Sequence, residues 1–451
     1  MPPTIPEPNL ESVATWISEQ DVHEVECIFA DISGYPRGKL MPADRFAQGA
    51  ELRICQAIPM QAITGDYSYD PVFPDEDPDV RLQPDYASVR LAPWASRKRA
   101  LAIHDCLELS GENSPFASRN VLRQVLQRYS ALGLTPVVAP ELEFYLCAIS
   151  DDPTRALQCA PMPDGRSEVG QSAFSMNMLN AFAPFWDEFR AALQTLGVRA
   201  DTWIHELGSG QYEINLVHGN ALALADQTFL LKYAAKELAP KHGLQAVFMA
   251  KPIAGAAGSS MHLHSSVVDA NGLNIFSKED GTESPAFGHF LAGLQTYLPD
   301  LMLMLAPNVN SYRRYVSGSL APINLQWGYE NRTTGLRVPQ STAAARRIEN
   351  RLAGADANPY LALAAHLGAG LQGLQGQLAH MPAVSGNAYV HAHSLPCSLD
   401  SAIERMQHST QAREFFGDLF VTGFCAVKTL ESQSYRNEIS TWERRYLLAQ
   451  V

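Results

Sequence analysis

Four short segments of the chain repeat one pattern, in which charge-bearing side chains alternate with apolar ones at the two-residue period of a β-strand. In PELEFYL, residues 140–146, Glu141, Glu143 and Tyr145 share one face while Leu142, Phe144 and Leu146 share the other. The two carboxylates then stand ~6.6 Å apart along the strand, and like charges that close call for water or a cation. HELGSGQYEINL (205–216) adds Glu206 before a glycine turn, and Glu213 on a strand whose other face is Ile214 and Leu216. GSSMHLHSSV (258–267) sets His262, His264 and Ser266 against Met261, Leu263 and Ser265. ARRIENRL (345–352) sets Arg347, Glu349 and Arg351 against Ile348, Asn350 and Leu352. Each pattern taken singly also fits a solvated sheet face; together they give four strands with polar inner faces.

Such a set of carboxylates, imidazoles and guanidiniums cannot be buried together unless multivalent cations compensate it, because an isolated buried charge costs several kcal/mol. Oxygen-rich ligands with little nitrogen and no sulfur select Mg²⁺ or Mn²⁺ over zinc. NSYRRY (310–315) and NRTTGLRVP (331–339) supply Arg313, Arg314, Arg332 and Arg337, planar forks suited to carboxylate and phosphate. Divalent metal beside many arginines is the equipment of phosphoryl transfer.

The remaining chain supports an α+β architecture. Strand-like runs at 137–146, 211–217, 246–251, 261–268, 335–339 and 347–352 alternate with helical patterns at 178–196, 220–241, 285–305 and 358–376. Ahead of them, the alternation around Val25, Cys27 and Phe29 predicts a half-buried strand, and the Asp-, Pro- and Tyr-rich segment 64–96 a long ordered loop followed by short strands. A helical stripe over 118–132 follows Gly111-Glu112-Asn113, which places a domain boundary near 112: an N-terminal unit of residues 1–112 and a larger unit of residues 113–451. Gly368, Gly370 and Gly373 spell GxGxxG, but inside an Ala/Leu-rich helical run with no preceding strand they predict close helix packing.

Composition narrows the partners. Lys+Arg 34 against Asp+Glu 47 leaves a net charge of −13 without a dense basic run, so nucleic acid is not expected. The 7 cysteines are odd in number and never paired as CxxC, which fits neither a disulfide framework nor a zinc knuckle and suggests a reducing cytoplasm. The opening MPPTIPEPNLESVATW lacks a basic region before an apolar run, and no apolar stretch approaches the ~20 residues that cross a bilayer. A cytoplasmic protein without membrane contact is expected.

PELEFYL, HELGSGQYEINL, FMAKP, GSSMHLHSS, NSYRR, NRTTGLRVP and RRIENRLAGADANPYLALAA run in one order across residues 25–446, and jointly they resemble the type I glutamine synthetase superfamily. The resemblance implies a small N-terminal β-grasp domain, a large catalytic domain whose strands form a funnel, and a homo-dodecamer of two stacked hexameric rings with active sites between neighbouring subunits. By motif position, Glu143, Glu206 and Glu213 resemble ligands of a first Mg²⁺ or Mn²⁺, and Glu141, His262 and Glu349 those of a second, within a family that uses two or three ions per site. His264, Ser266 and Arg347 match ATP-site positions. Gly258, Arg314 and Arg351 match glutamate-binding positions, and Arg332 and Arg337 those that steer the transferred phosphoryl group. The implied reaction phosphorylates the γ-carboxylate of L-glutamate with ATP and then joins it to nitrogen.

Departures from the family pattern bear on the nitrogen donor. SGSLAP (317–322) puts Leu320 where the family usually has a Glu that helps to hold ammonium, and GQSAFS puts Phe174 where a tyrosine is usual; Asp66 in TGDYS matches the neighbouring subunit's pocket aspartate. Ala257 and Ala344 replace a usual Asn and Lys near substrate and nucleotide. These changes resemble the branch that makes γ-glutamylpolyamines and γ-glutamylmonoamines, and they predict an amine ligase with an amine pocket of Leu320, Phe174 and Asp66, favouring a monoamine over a polyamine such as putrescine. A glutamine synthetase using ammonium is the alternative. An inactive regulatory homologue is a third reading, against which stand the six retained ligand positions.

Overall fold

The computed structural model describes residues 5, 7–68, 72–74, 76–152, 154–168 and 170–451. A first sheet combines β1 (Glu24–Ala30), β2 (Pro36–Pro42), β3 (Leu52–Cys55), β4 (Asp79–Pro84), β5 (Arg90–Leu91) and β6 (Arg99–Leu107) in the order β2-β1-β6-β4-β3, with β5 also on β6. Strand β1 is parallel to β6 and antiparallel to β2. It is buried on both faces, which corrects the half-buried expectation. Val25 and Cys27 join Trp16 of helix α1 (Leu10–Glu19) and Phe46 of α2 (Ala43–Ala47) in one core, while Ile28 and Ala30 face the large core of the chain. The polar exception, Glu26, accepts hydrogen bonds from Trp94, Arg99 and Tyr233, so its burial is compensated.

The second sheet carries the four patterned segments. It comprises β7 (Thr135–Ala148), β8 (Ala200–His205), β9 (Gln211–Leu216), β10 (Gly219–Asn220), β11 (Leu244–Val247), β12 (Met261–Val268), β13 (Trp327–Tyr329), β14 (Leu336–Val338) and β15 (Ile348–Asn350). Their order is β13-β14-β15-β12-β7-β9-β8, with β10 and β11 also paired to β7. The apolar faces of β7, β9 and β12 bury Leu142, Phe144, Ile214 and Leu263 in the main core. Helices α3 (Ser118–Ser130), α4 (Met176–Ala181), α5 (Ala183–Thr195), α6 (Ala221–Leu238), α7 (Pro285–Leu305) and α8 (Pro359–Gly376) accompany this sheet. Four more follow: α9 (Leu399–His408), α10 (Thr410–Phe416), α11 (Asp418–Arg436) and α12 (Thr441–Tyr446). No helix among the described residues is long and apolar enough to cross a membrane.

Two expected elements are revised. The helix expected over 178–196 is two helices, because Pro184 has no N–H for an interior turn and instead starts α5. The strand expected over 246–251 stops at Val247, where pairing with Tyr145 ends, and the chain turns away so that Ala250 can accept the Ser259 N–H. The GxGxxG glycines do pack helices. A Cβ on Gly373 would lie 2.2 Å from the His289 carbonyl of α7, and one on Gly370 2.2 Å from the Phe290 ring.

Candidate active site

Register turns the sequence pattern into a site. Glu143 stands opposite Glu213 across β7 and β9, Glu141 opposite His262 across β7 and β12, His264 opposite Glu349 across β12 and β15, and Arg337 opposite Glu349 across β14 and β15. Directly opposed residues in antiparallel pairs point to one side of a sheet, so a row of ionisable groups spans five neighbouring strands. It opens into a cavity of about 310 Å³. Of the residues expected at the site, Glu141, Glu143, Glu206, Glu213, His262, Gly258, Arg314, Arg332, Arg337, Arg351, Leu320 and Phe174 line this cavity.

Glu143 is held firmly, its carboxylate accepting from the Ser260 N–H at 2.8 Å, the Ser260 hydroxyl at 2.6 Å and Gln211 Nε2 at 3.3 Å. Glu349 is buried and receives Arg351 at 2.5 Å and Arg337 at 2.6 Å. Arg337 also reaches Glu330 at 2.6 Å. His262 Nδ1 lies 3.4 Å from Glu141 and 3.8 Å from Glu349, and its Nε2 is 3.0 Å from the Ser260 hydroxyl. His264 Nε2 is 3.0 Å from a Glu141 oxygen, yet off the line of a hydrogen bond and without another partner, while Arg347 donates to its Nδ1 at 3.2 Å. Arg314 spends two nitrogens on the Leu352 and Arg351 carbonyls, each at 2.8 Å.

The electrostatics divide the acids into two groups. Burial pushes the Glu206 carboxyl up, Glu143 adds to the shift, and it reaches about 7 even with Arg332 pulling it down. Glu213 is likewise pushed well above the usual carboxylate range, by burial first and then by Glu143, Glu141, Glu206 and Glu349. Burial also acts on Glu141, but His262 and His264 outweigh it and hold this carboxyl below its ordinary range. For Glu349, burial is outweighed by Arg351, His262, His264 and Arg337, leaving it at about 2.

The first group is a set of mutually repelling acids with few cationic partners, and this is the environment a divalent cation relieves. Donor atoms of Glu141, Glu213 and His262 all lie within 4.8 Å of one another, as do those of Glu141, His264 and Glu349. Mostly oxygen donors with one imidazole fit a hard ion such as Mg²⁺ or Mn²⁺.

Phe174 and Leu320 share a backbone feature: φ is 62° and 64°, the left-handed region that non-glycine residues rarely occupy. Both side chains are exposed at the cavity mouth, at 72% and 51% of full accessibility. The Phe174 N–H is tied to the His205 carbonyl at 2.7 Å, and the Leu320 carbonyl faces Arg351 Nη2 at 3.5 Å. Ile204, Leu207 and Ala321 continue the apolar lining.

Five expected residues are not among those lining the cavity: Glu349 and His264 cluster with Glu141 beside it, Arg347 donates to His264, and two lie farther off. Ser266 is two positions beyond His264 on β12, opposite Val137, and Asp66 sits in an exposed loop where it accepts a 2.7 Å hydrogen bond from Thr64. Sequence reasoning missed Ser260 and Gln211, which orient Glu143, and Tyr389, whose hydroxyl donates to the Ala321 carbonyl beside Leu320. Gln211 had a readable signal, since it heads the strand that carries Glu213; Tyr389 lies in an irregular segment and had none.

Comparison with known proteins places the chain as a whole. The family described as glutamine synthetase, catalytic domain, matches residues 115–447. A glutamate–isopropylamine ligase of a Pseudomonas species is 34% identical over 96% of this chain and 97% of its own. The γ-glutamylputrescine synthetase of Escherichia coli K12 is 38% identical over 75% of this chain and 72% of its own. A solved structure described as apo GmaS without ligand superposes with a TM-score of 0.85 at 28% identity, covering 97% of this chain and 99% of the other.

Proposed function

From the premise that the chain belongs to the glutamine synthetase family and is an ATP-dependent ligase forming carbon–nitrogen bonds, we propose that it joins the γ-carboxylate of L-glutamate to a small organic amine. The observation that carries the amine reading is the apolar lip of the cavity, where Phe174 and Leu320 occupy a backbone region that costs on the order of 1 kcal/mol each. Bare ammonium needs several oxygen acceptors to replace its water shell, and this lip offers carbon. An alkylamine instead gains ~0.8 kcal/mol for each CH₂ laid against such a wall. Among the described residues the lip, formed by Phe174, Leu320, Ile204, Leu207 and Ala321, presents no carboxylate for the second charge of a diamine, which favours a compact monoamine over putrescine.

The roles follow from position. Glu143, Glu206 and Glu213 form one candidate ion site and Glu141, His262 and Glu349 a second; Mg²⁺ or Mn²⁺ bound there supplies neutralisation of phosphate charge. Arg332 and Arg337 lie on the same wall and steer the phosphoryl group, with Glu330 holding the Arg337 fork. Gly258 lets its segment pack against the Ala250 carbonyl and the Arg314 side chain, which a Cβ there would meet at 2.8 and 2.9 Å, and its backbone borders the amino acid. Arg351 and Arg314 face the glutamate carboxylates, and His264, Arg347 and Ser266 border the nucleotide. A γ-carboxylate oxygen of glutamate attacks the terminal phosphorus of ATP and ADP leaves. The amine nitrogen then attacks the acyl carbon, phosphate departs, and the protons shed by the ammonium pass to Asp66 and solvent.

Because Asp66 is exposed and outside its own chain's cavity, we place it in the site of an adjacent subunit, within a homo-dodecamer whose N-terminal unit, residues 1–112, is the β-grasp domain and whose residues 113–451 are catalytic. The experiment is kcat/KM for ammonium, isopropylamine and putrescine with glutamate and ATP. A preference for the alkylamine is expected, and Leu320→Glu should shift it toward ammonium. A clear preference of the wild type for ammonium would overturn the reading.

A further inference from the structure

Cys147, near the end of β7, forms an antiparallel bridge with Cys159 of the following irregular segment. The bridge is bracketed by two hydrogen bonds, from the Ala148 N–H to the Gln158 carbonyl and from the Ala160 N–H to the Leu146 carbonyl, each 3.0 Å. Neither cysteine uses its own main-chain groups in this pattern, so they are a non-hydrogen-bonded pair, the arrangement with Cα atoms only ~4.5 Å apart. A disulfide spans Cα separations of about 4.4–6.8 Å. Directly opposed side chains also point to one face. Both thiols accordingly lie in one small apolar cluster with Tyr145 and Val247.

Both cysteines are reduced; Cys147 is buried and Cys159 partly exposed. By strand parity Cys147 falls on the same face of β7 as Glu141 and Glu143. Cys159 Sγ donates to the Ser209 carbonyl at 2.7 Å, and its Cβ would be 3.2 Å from a Cβ on Gly210. Ser209 and Gly210 belong to the turn between Glu206 and Glu213, so the pair touches the support of both.

We propose that Cys147 and Cys159 are an oxidation site, converted by a small peroxide into a disulfide that withdraws the Cys159 sulfur from Ser209 and loosens the turn carrying Glu206. Cys159, the accessible member, attacks a peroxide oxygen as thiolate. The O–O bond breaks, and the departing hydroxide leaves as water with the thiol proton. The resulting sulfenic acid is attacked by Cys147, whose proton leaves with the expelled hydroxide as a second water. Two thiols thus lose two electrons, and one hydrogen peroxide becomes two waters. Burial and the nearby Glu168 push the Cys159 thiol up, and burial pushes Cys147 to about 12, so the reaction quickens as pH rises. Cys55 and Cys397 are exposed and serve as internal controls.

The test treats the assembled full-length protein with hydrogen peroxide, blocks the remaining thiols and maps peptides by mass spectrometry. A Cys147–Cys159 cross-link is expected that forms faster near pH ~9 than near pH ~7 and reverses with dithiothreitol. Mn²⁺ affinity, measured by calorimetry, should fall about ten-fold on oxidation of the wild type and stay unchanged in peroxide-treated Cys159→Ser, which has no thiol to oxidise at this position and whose hydroxyl can donate to the Ser209 carbonyl in place of the thiol. Cys147→Ala serves as a second variant that cannot cross-link. Absence of the linked peptide while Cys55 and Cys397 oxidise would overturn the site, and a cross-link that leaves Mn²⁺ affinity unaltered would overturn its coupling to the turn. Neither readout depends on which amine the enzyme uses.

Discussion

Replacing Glu206 by glutamine should stabilise the metal-free protein in alkaline solution and weaken it once metal is added. The carboxyl is raised from 4.5 to about 7 by burial and by Glu143, and 7 − 4.5 gives 2.5 pH units, or about 3 kcal/mol at 1.36 kcal/mol per unit. The sign follows from proton counting. A folded-state pKa raised above the unfolded value means that the folded chain binds the extra proton, so the stabilisation is complete below about pH 4.5 and is lost as pH rises through about 7. Glutamine mimics the protonated acid and can keep the Leu207 N–H contact, 3.2 Å in the wild type, so Glu206→Gln escapes this loss. At ~2.1 cal/mol/K per residue, 451 residues unfold with an entropy near 1 kcal/mol/K, and the difference amounts to about 3 °C in Tm. The assay is thermal unfolding in EDTA across the range from about pH 4 to about pH 8.5, repeated with saturating Mn²⁺ at the alkaline end. The variant should match the wild type at the acidic end, exceed it by about 3 °C at the alkaline end, and fall below it with Mn²⁺, because ligand binding to the folded state stabilises by mass action and the variant has lost a ligand. A difference independent of pH, or a variant that gains as much from Mn²⁺ as the wild type, would refute the assignment of Glu206 to a charge-strained ion site.

Other perturbations read separate parts of the structure. Glu143→Gln should lower turnover at least ten-fold with every acceptor, a barrier increase of ~1.4 kcal/mol or more, since it weakens a carboxylate that three donors hold in place; steady-state rates at saturating metal decide this. Inactive Asp66→Ala and inactive Glu143→Gln subunits, mixed and reassembled, should regain activity through hybrid sites, and verified mixed oligomers without recovery would place Asp66 elsewhere. Gly373→Ala should lower stability by about 1–3 kcal/mol without changing KM, because its methyl would meet the His289 carbonyl at 2.2 Å and the Gly293 Cα at 2.6 Å; unchanged thermal unfolding would show that α7 and α8 can separate at no cost.

Much of the candidate site was legible because it is built on strands, where a two-residue period translates directly into a shared face. Local sequence put Glu141 and Glu143 on one face and gave His262 and Glu349 to the polar faces of their own strands; that these faces meet was implied by the family resemblance, and the registers join the strands, which are far apart in the chain. What local sequence does not carry is which groups neutralise one another. Arg351 and Arg337 share a face with Glu349 in the sequence pattern, but only the folded sheet shows both guanidiniums on that one carboxylate, leaving the cluster around Glu206 and Glu213 short of positive charge. The same distinction explains β1. Its alternation describes the two faces of the strand correctly, yet a central strand covered on both sides needs apolar residues on each, and whether it is covered is decided by α1 and by the main core, not by the strand. The left-handed conformations of Phe174 and Leu320 were equally out of reach, since neither residue type favours them and the contacts made there, to His205 and Arg351, come from distant parts of the chain. A conformation that disagrees with local preference at two points on one cavity mouth is a property of the assembled site, and these two points are where the proposed amine pocket has its apolar side chains.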